Sequence, residues 1–179
     1  MRFEIRVTGS GGQGAITIGH ILGSAAALYD SKEAVITEGY SPYITGGWSR
    51  ADVVISDEPV DYPLVSKLDA LVTMNQEGLD LNATLVKTYG LIVVESQLVD
   101  ISKMKADRRI FSVPATAQAT TLGRKLLSNI VMLGALVGAI SAVSKGAVEK
   151  ALAERFPKYV DLNLKALNSG YELTRRPAS

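Results

Sequence analysis

Six residues near the amino terminus, Gly9-Ser10-Gly11-Gly12-Gln13-Gly14, form the densest chemical signal in the chain. Their spacing, Gly9-x-Gly11-x-x-Gly14, sits between an apolar strand pattern and a helical one. In that context backbone N–H groups and a helix N-terminus can face a phosphate. The plainer alternative is that the glycines only permit a tight turn and close helix–sheet contact. A dinucleotide site would add an acidic residue about twenty positions further on, to hold a ribose. Glu38, at the end of the second expected strand, is a poor candidate for that role. Gln13 carries an amide that can both donate and accept, toward a ligand or a facing subunit, or simply toward solvent.

A second cluster is Thr45-Gly46-Gly47-Trp48-Ser49-Arg50, which joins backbone freedom to the sole tryptophan and a cation. Tyr40 and Tyr43 precede it in what reads as one loop. Tryptophan and arginine are common interface anchors, although an indole can equally cap the edge of a core. His20, the single histidine, has no partners at metal-ligand spacing and reads as a polar helix residue. Asp57 and Glu58 stand at a strand end before Pro59, where carboxylates face water. No complete nucleophile or acid–base set is visible, so no catalytic and no metal residue is assigned. Cysteine is absent, which removes disulfides, thiolate zinc and iron–sulfur ligation by this chain.

The elements that must position these residues follow from periodicity. Phe3, Ile5 and Val7 alternate with Glu4 and Arg6, predicting a first strand that ends near Thr8. Ile18, Ile21, Leu22, Ala25 and Ala26 carry a helix from Ala15 to about Tyr29, and Asp30-Ser31 marks a turn. Short strands are expected at Ala34–Thr37, Ala51–Ser56, Ala70–Met74, Leu91–Val94 and Arg109–Val113, with Gly39 to Gly47 as a loop. Gln76 to Tyr89 has helical spacing, stopped by Gly90. From Thr116 onward the pattern is helical, broken at Gly123 and near Ser144 and Pro157. Strands apolar on both faces, alternating with helices, argue for an α/β fold: one Rossmann-like domain over residues 1–179, a mostly parallel sheet covered by helices, and a helical C-terminal part.

Nineteen basic against 18 acidic residues leave a net charge of +1, no field that would gather nucleic acid or an anionic membrane. The start of the chain has no basic, then apolar, secretory pattern, so the reading is cytoplasmic. Leu126 to Ser144 is free of charge, but its continuous apolar part, Ile130 to Ile140, would cross only about half of a ~30 Å hydrocarbon layer. It reads as a buried helix and not as a membrane span, with Gly134 and Gly138 admitting a close neighbour.

The glycine loop, the run Gly46-Gly47-Trp48-Ser49-Arg50-Ala51-Asp52-Val53-Val54-Ile55-Ser56-Asp57-Glu58-Pro59, and Asn129 with Leu133-Gly134-Ala135 together resemble the γ subunit of 2-oxoacid:ferredoxin oxidoreductases, from Phe3 to about Tyr171. The resemblance implies a Rossmann-like γ subunit beside the entrance to an active site that other chains complete. It implies coenzyme A as co-substrate, with thiamine diphosphate, Mg and iron–sulfur clusters in partner subunits of α, β and δ type, and ferredoxin reduced through the complex. Carried over by position, Gly9, Ser10, Gly11, Gly12, Gln13 and Gly14 become candidates for coenzyme A contact, and Gly46 and Gly47 border the same cleft or a neighbouring subunit. Family members often carry arginine immediately before the paired glycines, and Thr45 stands there in this chain. The run Gly47 to Pro59 looks most like the 2-oxoglutarate enzymes, with pyruvate or branched-chain 2-oxoacids as alternatives. A stand-alone nucleotide-binding protein of Rossmann-like fold is the competing reading.

Overall fold

The computed structural model describes residues 1–42, 47–104 and 107–175. Six strands form one sheet: β1 (Arg2–Ser10), β2 (Glu33–Tyr40), β3 (Trp48–Ser56), β4 (Leu68–Thr73), β5 (Val86–Glu95) and β6 (Arg109–Val113), in the spatial order β2-β3-β1-β4-β5-β6. The helices are α1 (Ala15–Ser24), α2 (Gln76–Asn82), α3 (Ala115–Thr121), α4 (Ser128–Ala139), α5 (Lys145–Arg155) and α6 (Val160–Thr174). A π-helical turn, Ala25–Tyr29, extends α1 to the expected end of that helix. The architecture is α/β, as expected, and β1, β4, β5 and β6 pair in parallel. β3 departs from the expected parallel order, running antiparallel between β1 and β2. Its two-sided apolar character comes from burial on both faces, and a parallel neighbour is not required for that.

Side chains alternate across the sheet, and each face meets a different cover. On one face Ile5, Val7, Val53, Ile55, Val72 and Val93 pack with Ile18, Ile21 and Leu22 of α1 and with α4 and α6. On the other face Leu71, Ile92 and Val94 pack with Leu79 of α2 and with Val99. The charge-free segment is the buried helix α4, and glycine brings it against α6. A Cβ on Gly134 would overlap the Leu167 carbonyl, and one on Gly170 would overlap the Val131 carbonyl. Among the described residues, no helix is long and apolar enough to cross a membrane.

Several boundaries differ from the sequence expectation. β1 runs on through Gly9 and Ser10 because Ser49 and Trp48 of β3 pair with them. β2 extends to Tyr40 and β3 begins at Trp48, so Trp48, Ser49 and Arg50 are strand residues, while Tyr43, Thr45 and Gly46 lie outside the described residues. The expected helix Gln76–Tyr89 stops at Asn82, followed by one 3-10 turn and then β5. β5 advances from Val86 to Leu91 while β4 advances from Leu68 to Ala70, so Lys87 to Gly90 bulge out of the ladder. Gly90 belongs to that bulge and caps no helix. Leu81, part of the helical spacing, is 64% exposed, so apolar periodicity there did not mean burial.

Candidate functional site

The connection after β1 leads through α1 onto one sheet face, and the connection after β4 leads through α2 onto the other. β1 and β4 are parallel neighbours, so their carboxyl ends flank a topological switch point, where open α/β sheets form a ligand crevice. The glycine loop occupies that point.

Its shape is held from within. Ser10 N–H donates to Gln13 Oε1 at 2.6 Å, Gln13 N–H donates to Ser10 O at 3.0 Å, and Gln13 Nε2 donates to Met74 O at 2.9 Å. Gly9 leaves room for that amide, since a Cβ there would stand 2.7 Å from Gln13 Oε1. Asn75 caps α2 by accepting from Gly78 N–H at 2.9 Å and donates through Nδ2 to Ser10 Oγ at 2.9 Å. The loop is thus tied to the β4–α2 turn. Gln13 is half-buried, and its amide is engaged by the Ser10 N–H and the Met74 carbonyl, which hold it inward.

Gly11 N–H donates to Gly47 O at 2.7 Å, which binds the loop to the start of β3. Gly12 and Gly14 have φ of 88° and 84°, the left-handed region that glycine occupies at little cost. Gly14 also caps α1, and a Cβ on it would overlap the Asn129 amide. Within the described chain no side chain caps α1, so the N–H groups of its first turn, Ala15 to Thr17, are left for another acceptor. With Gly11 and Gln13 N–H engaged internally, that first turn and the backbone at Gly12 are the donors that remain. They carry the partial positive charge of a helix N-terminus.

Two hollows flank the loop. One of about 400 Å³ is lined by Gly11, Gly12, Thr17, Tyr40, Gly47 and Trp48. The other, about 330 Å³, is lined by Gly14, Thr17, Arg124, Asn129 and Tyr159. Arg124 lies over the Tyr159 ring, 4.7 Å from its centroid, and Asn129 Oδ1 is buried without a hydrogen-bond partner among the described residues. Arg124 and Tyr159 were missed by sequence reasoning because they are more than a hundred residues from the loop and lack a distinctive motif. Gly46 lies outside the described residues.

Glu38 is not placed for a ribose beside the loop. β3 separates β2 from β1, so Glu38 is two strands away, roughly 10 Å at the usual spacing. Its carboxylate accepts from Tyr40 OH and meets His20 Nε2 at 2.6 Å. The Tyr40 hydrogen bond first, then His20, holds the Glu38 carboxyl below the usual carboxylate range, and the same bond pushes the Tyr40 phenol up. His20 is thus the exposed polar helix residue expected, and Asp57 and Glu58 are exposed at the end of β3.

An open α/β sheet with an uncapped helix behind a glycine turn at its switch point is an arrangement that can offer backbone donors to a phosphate-bearing ligand. Comparison with known proteins gives the family. A family model described as pyruvate ferredoxin/flavodoxin oxidoreductase matches residues 4–173. The chain is 45% identical over 178 residues to the 2-oxoglutarate synthase subunit KorC of Methanocaldococcus jannaschii, covering 98% of this chain and 95% of that one. The keto/oxoacid ferredoxin oxidoreductase gamma subunit from Geobacter sulfurreducens superposes with a TM-score of 0.86 at 39% identity, covering 97% of this chain and 96% of that one. The 2-oxoglutarate:ferredoxin oxidoreductase from Magnetococcus marinus, with 2-oxoglutarate, coenzyme A and succinyl-CoA bound, shares the fold at 24% identity and a TM-score of 0.87, over 96% of this chain and 31% of that one. The chain belongs to the pyruvate ferredoxin/flavodoxin oxidoreductase family and is of the γ-subunit type.

Proposed function

We propose that this chain serves as one γ-type domain in a complex that oxidatively decarboxylates 2-oxoglutarate to succinyl-CoA and reduces ferredoxin, and that its glycine loop binds a phosphate of coenzyme A. The observation that carries the loop assignment is the uncapped first turn of α1, facing two hollows at the switch point. An anion there gains from both the unpaired N–H groups and the helix dipole. Gly11, Gly12 and Gly14 supply the backbone approach, Gly9, Ser10 and Gln13 hold the loop, and Gly47 joins it to β3. Arg124 adds a cation at the rim of the second hollow. The names of the relatives support 2-oxoglutarate over pyruvate or a branched-chain 2-oxoacid. Thiamine diphosphate, Mg and the iron–sulfur clusters belong, on this reading, to partner subunits of α, β and δ type.

Purification of the native protein tests the assignment. The expected result is co-elution with thiamine- and cluster-bearing chains and coenzyme A-dependent oxidation of 2-oxoglutarate, with kcat/KM at least tenfold above that for pyruvate. A lone chain that binds NAD(P) saturably and ignores coenzyme A would overturn it in favour of a stand-alone nucleotide-binding protein. The separation of Glu38 from the loop argues against that outcome.

A further inference from the structure

On the sheet face opposite α1, a separate cavity of about 300 Å³ opens between β1, β3 and α2. At its base Arg6 is buried and satisfied. Its Nε and Nη2 donate to the two Asp52 oxygens at 2.6 and 2.7 Å, and its Nη1 donates to Asn82 Oδ1 at 2.9 Å. Arg50, one rung along β3, is not satisfied. Its Nε is screened from solvent, lies 3.6 Å from the nearest Asp52 oxygen and makes no hydrogen bond within the described chain. The guanidinium sits 5.6 Å from the Trp48 ring centroid and reaches over Gly39, where a Cβ would stand 3.3 Å from it. Two guanidiniums therefore share one carboxylate. The acid that lines the cavity is the exposed Glu77, and Trp48, Leu81 and Leu85 make apolar walls.

We propose that this cavity binds an organic carboxylate with a short aliphatic body. The planar fork of Arg50 matches the two oxygens of a carboxylate, and the buried Nε lacks such an acceptor. The walls of Trp48, Leu81 and Leu85 suit a hydrocarbon body and would leave the outer oxygens of inorganic phosphate unpaired. A volume near 300 Å³ lies at the lower end of ligand pockets, roughly 300–1,000 Å³, and has room for a small acid. The site is separate from the glycine loop, although Trp48 borders a hollow at each. The carboxylate is supplied either by a free acid or by an aspartate or glutamate side chain of a partner subunit.

The test titrates the full chain with butyrate, with glutarate and with inorganic phosphate, reading the emission of Trp48, the sole tryptophan, and the Nε–H resonance of Arg50. Saturable changes with both acids are expected, with phosphate at least tenfold weaker. Arg50→Gln weakens the acids at least tenfold, and Leu81→Asp, which sets a competing carboxylate at the rim, weakens them several-fold. No saturable change, an unaltered response in Arg50→Gln, or equal binding of phosphate overturns the proposal. Repeated on the assembled complex, a retained response assigns the carboxylate to a free acid, and a lost one to a partner side chain. Neither arm uses coenzyme A, so failure of this site leaves the reading of the glycine loop standing.

Discussion

Gly9 to Gly14 were legible because backbone geometry limits which residues fit. A left-handed cap at Gly14 pressed against Asn129, and an approach at Gly9 that admits an amide, exclude most side chains, so the requirement is written as glycine. The inward turn of the Gln13 amide was not legible, because its acceptor is the backbone of Met74, whose carbonyl carries no residue signature. The buried Arg6–Asp52 pair was hidden in the same way, as ordinary charged residues on strands whose partners are 46 positions apart. Asp52→Ala leaves Arg6 buried beside only Asn82, and the expected loss is about 3–5 kcal/mol, read from urea unfolding. Glu4 gives a pH dependence. Burial acts to raise its pKa, but the Arg2 hydrogen bond and the N–H groups of Ser66 and Lys67 outweigh that and hold the carboxyl below its ordinary value. Its contribution is present above the ordinary glutamate pKa of about 4.3 and is lost as pH falls through the lower folded value. Glu4→Gln is therefore expected to flatten the fall in the urea midpoint as pH drops below about 4.3, relative to the native chain.

At the scale of elements, α1 was readable because period and burial agree in it, β6 because Pro114 ends it, and the buried α4 because the run is free of charge. α2 and β5 were not, because Leu81 and Leu85 mimic a helical stripe while Tyr89, with φ of 62°, and the bulge around it depend on a pairing with β4 that only the folded chain supplies. The antiparallel course of β3 was unreadable for a related reason: alternation records which faces are buried and says nothing of strand direction. The contact of α4 with α6 makes a sharp demand. Gly170→Ala drives a methyl into the Val131 carbonyl, a backbone atom that cannot rotate away. A destabilisation of about 3 kcal/mol is expected, visible as a Tm roughly 6–12 °C lower in a thermal melt. Gly146→Ala, where a Cβ meets nothing within 4 Å, serves as the control and should leave the midpoint near that of the native chain.

For the whole molecule, the sheet is covered on both faces, the net charge is +1, and the chain carries no cysteine to ligate a thiolate cluster. Its family makes it a component of an oxidoreductase, and in the proposed role the first turn of α1 acts as an anion site within the assembled complex. Thr17 stands in that turn and lines both hollows, so Thr17→Asp separates folding from binding. A carboxylate in the first turn of a helix is stabilising by about 0.3–1 kcal/mol, whereas beside a bound phosphate it repels. The decisive measurement is the KM for coenzyme A of the complex carrying Thr17→Asp, set beside the Tm of the same variant. A KM at least tenfold higher, with a Tm equal to or above that of the native protein, is expected; an unchanged KM for coenzyme A would mean that the first turn of α1 holds no phosphate of that ligand.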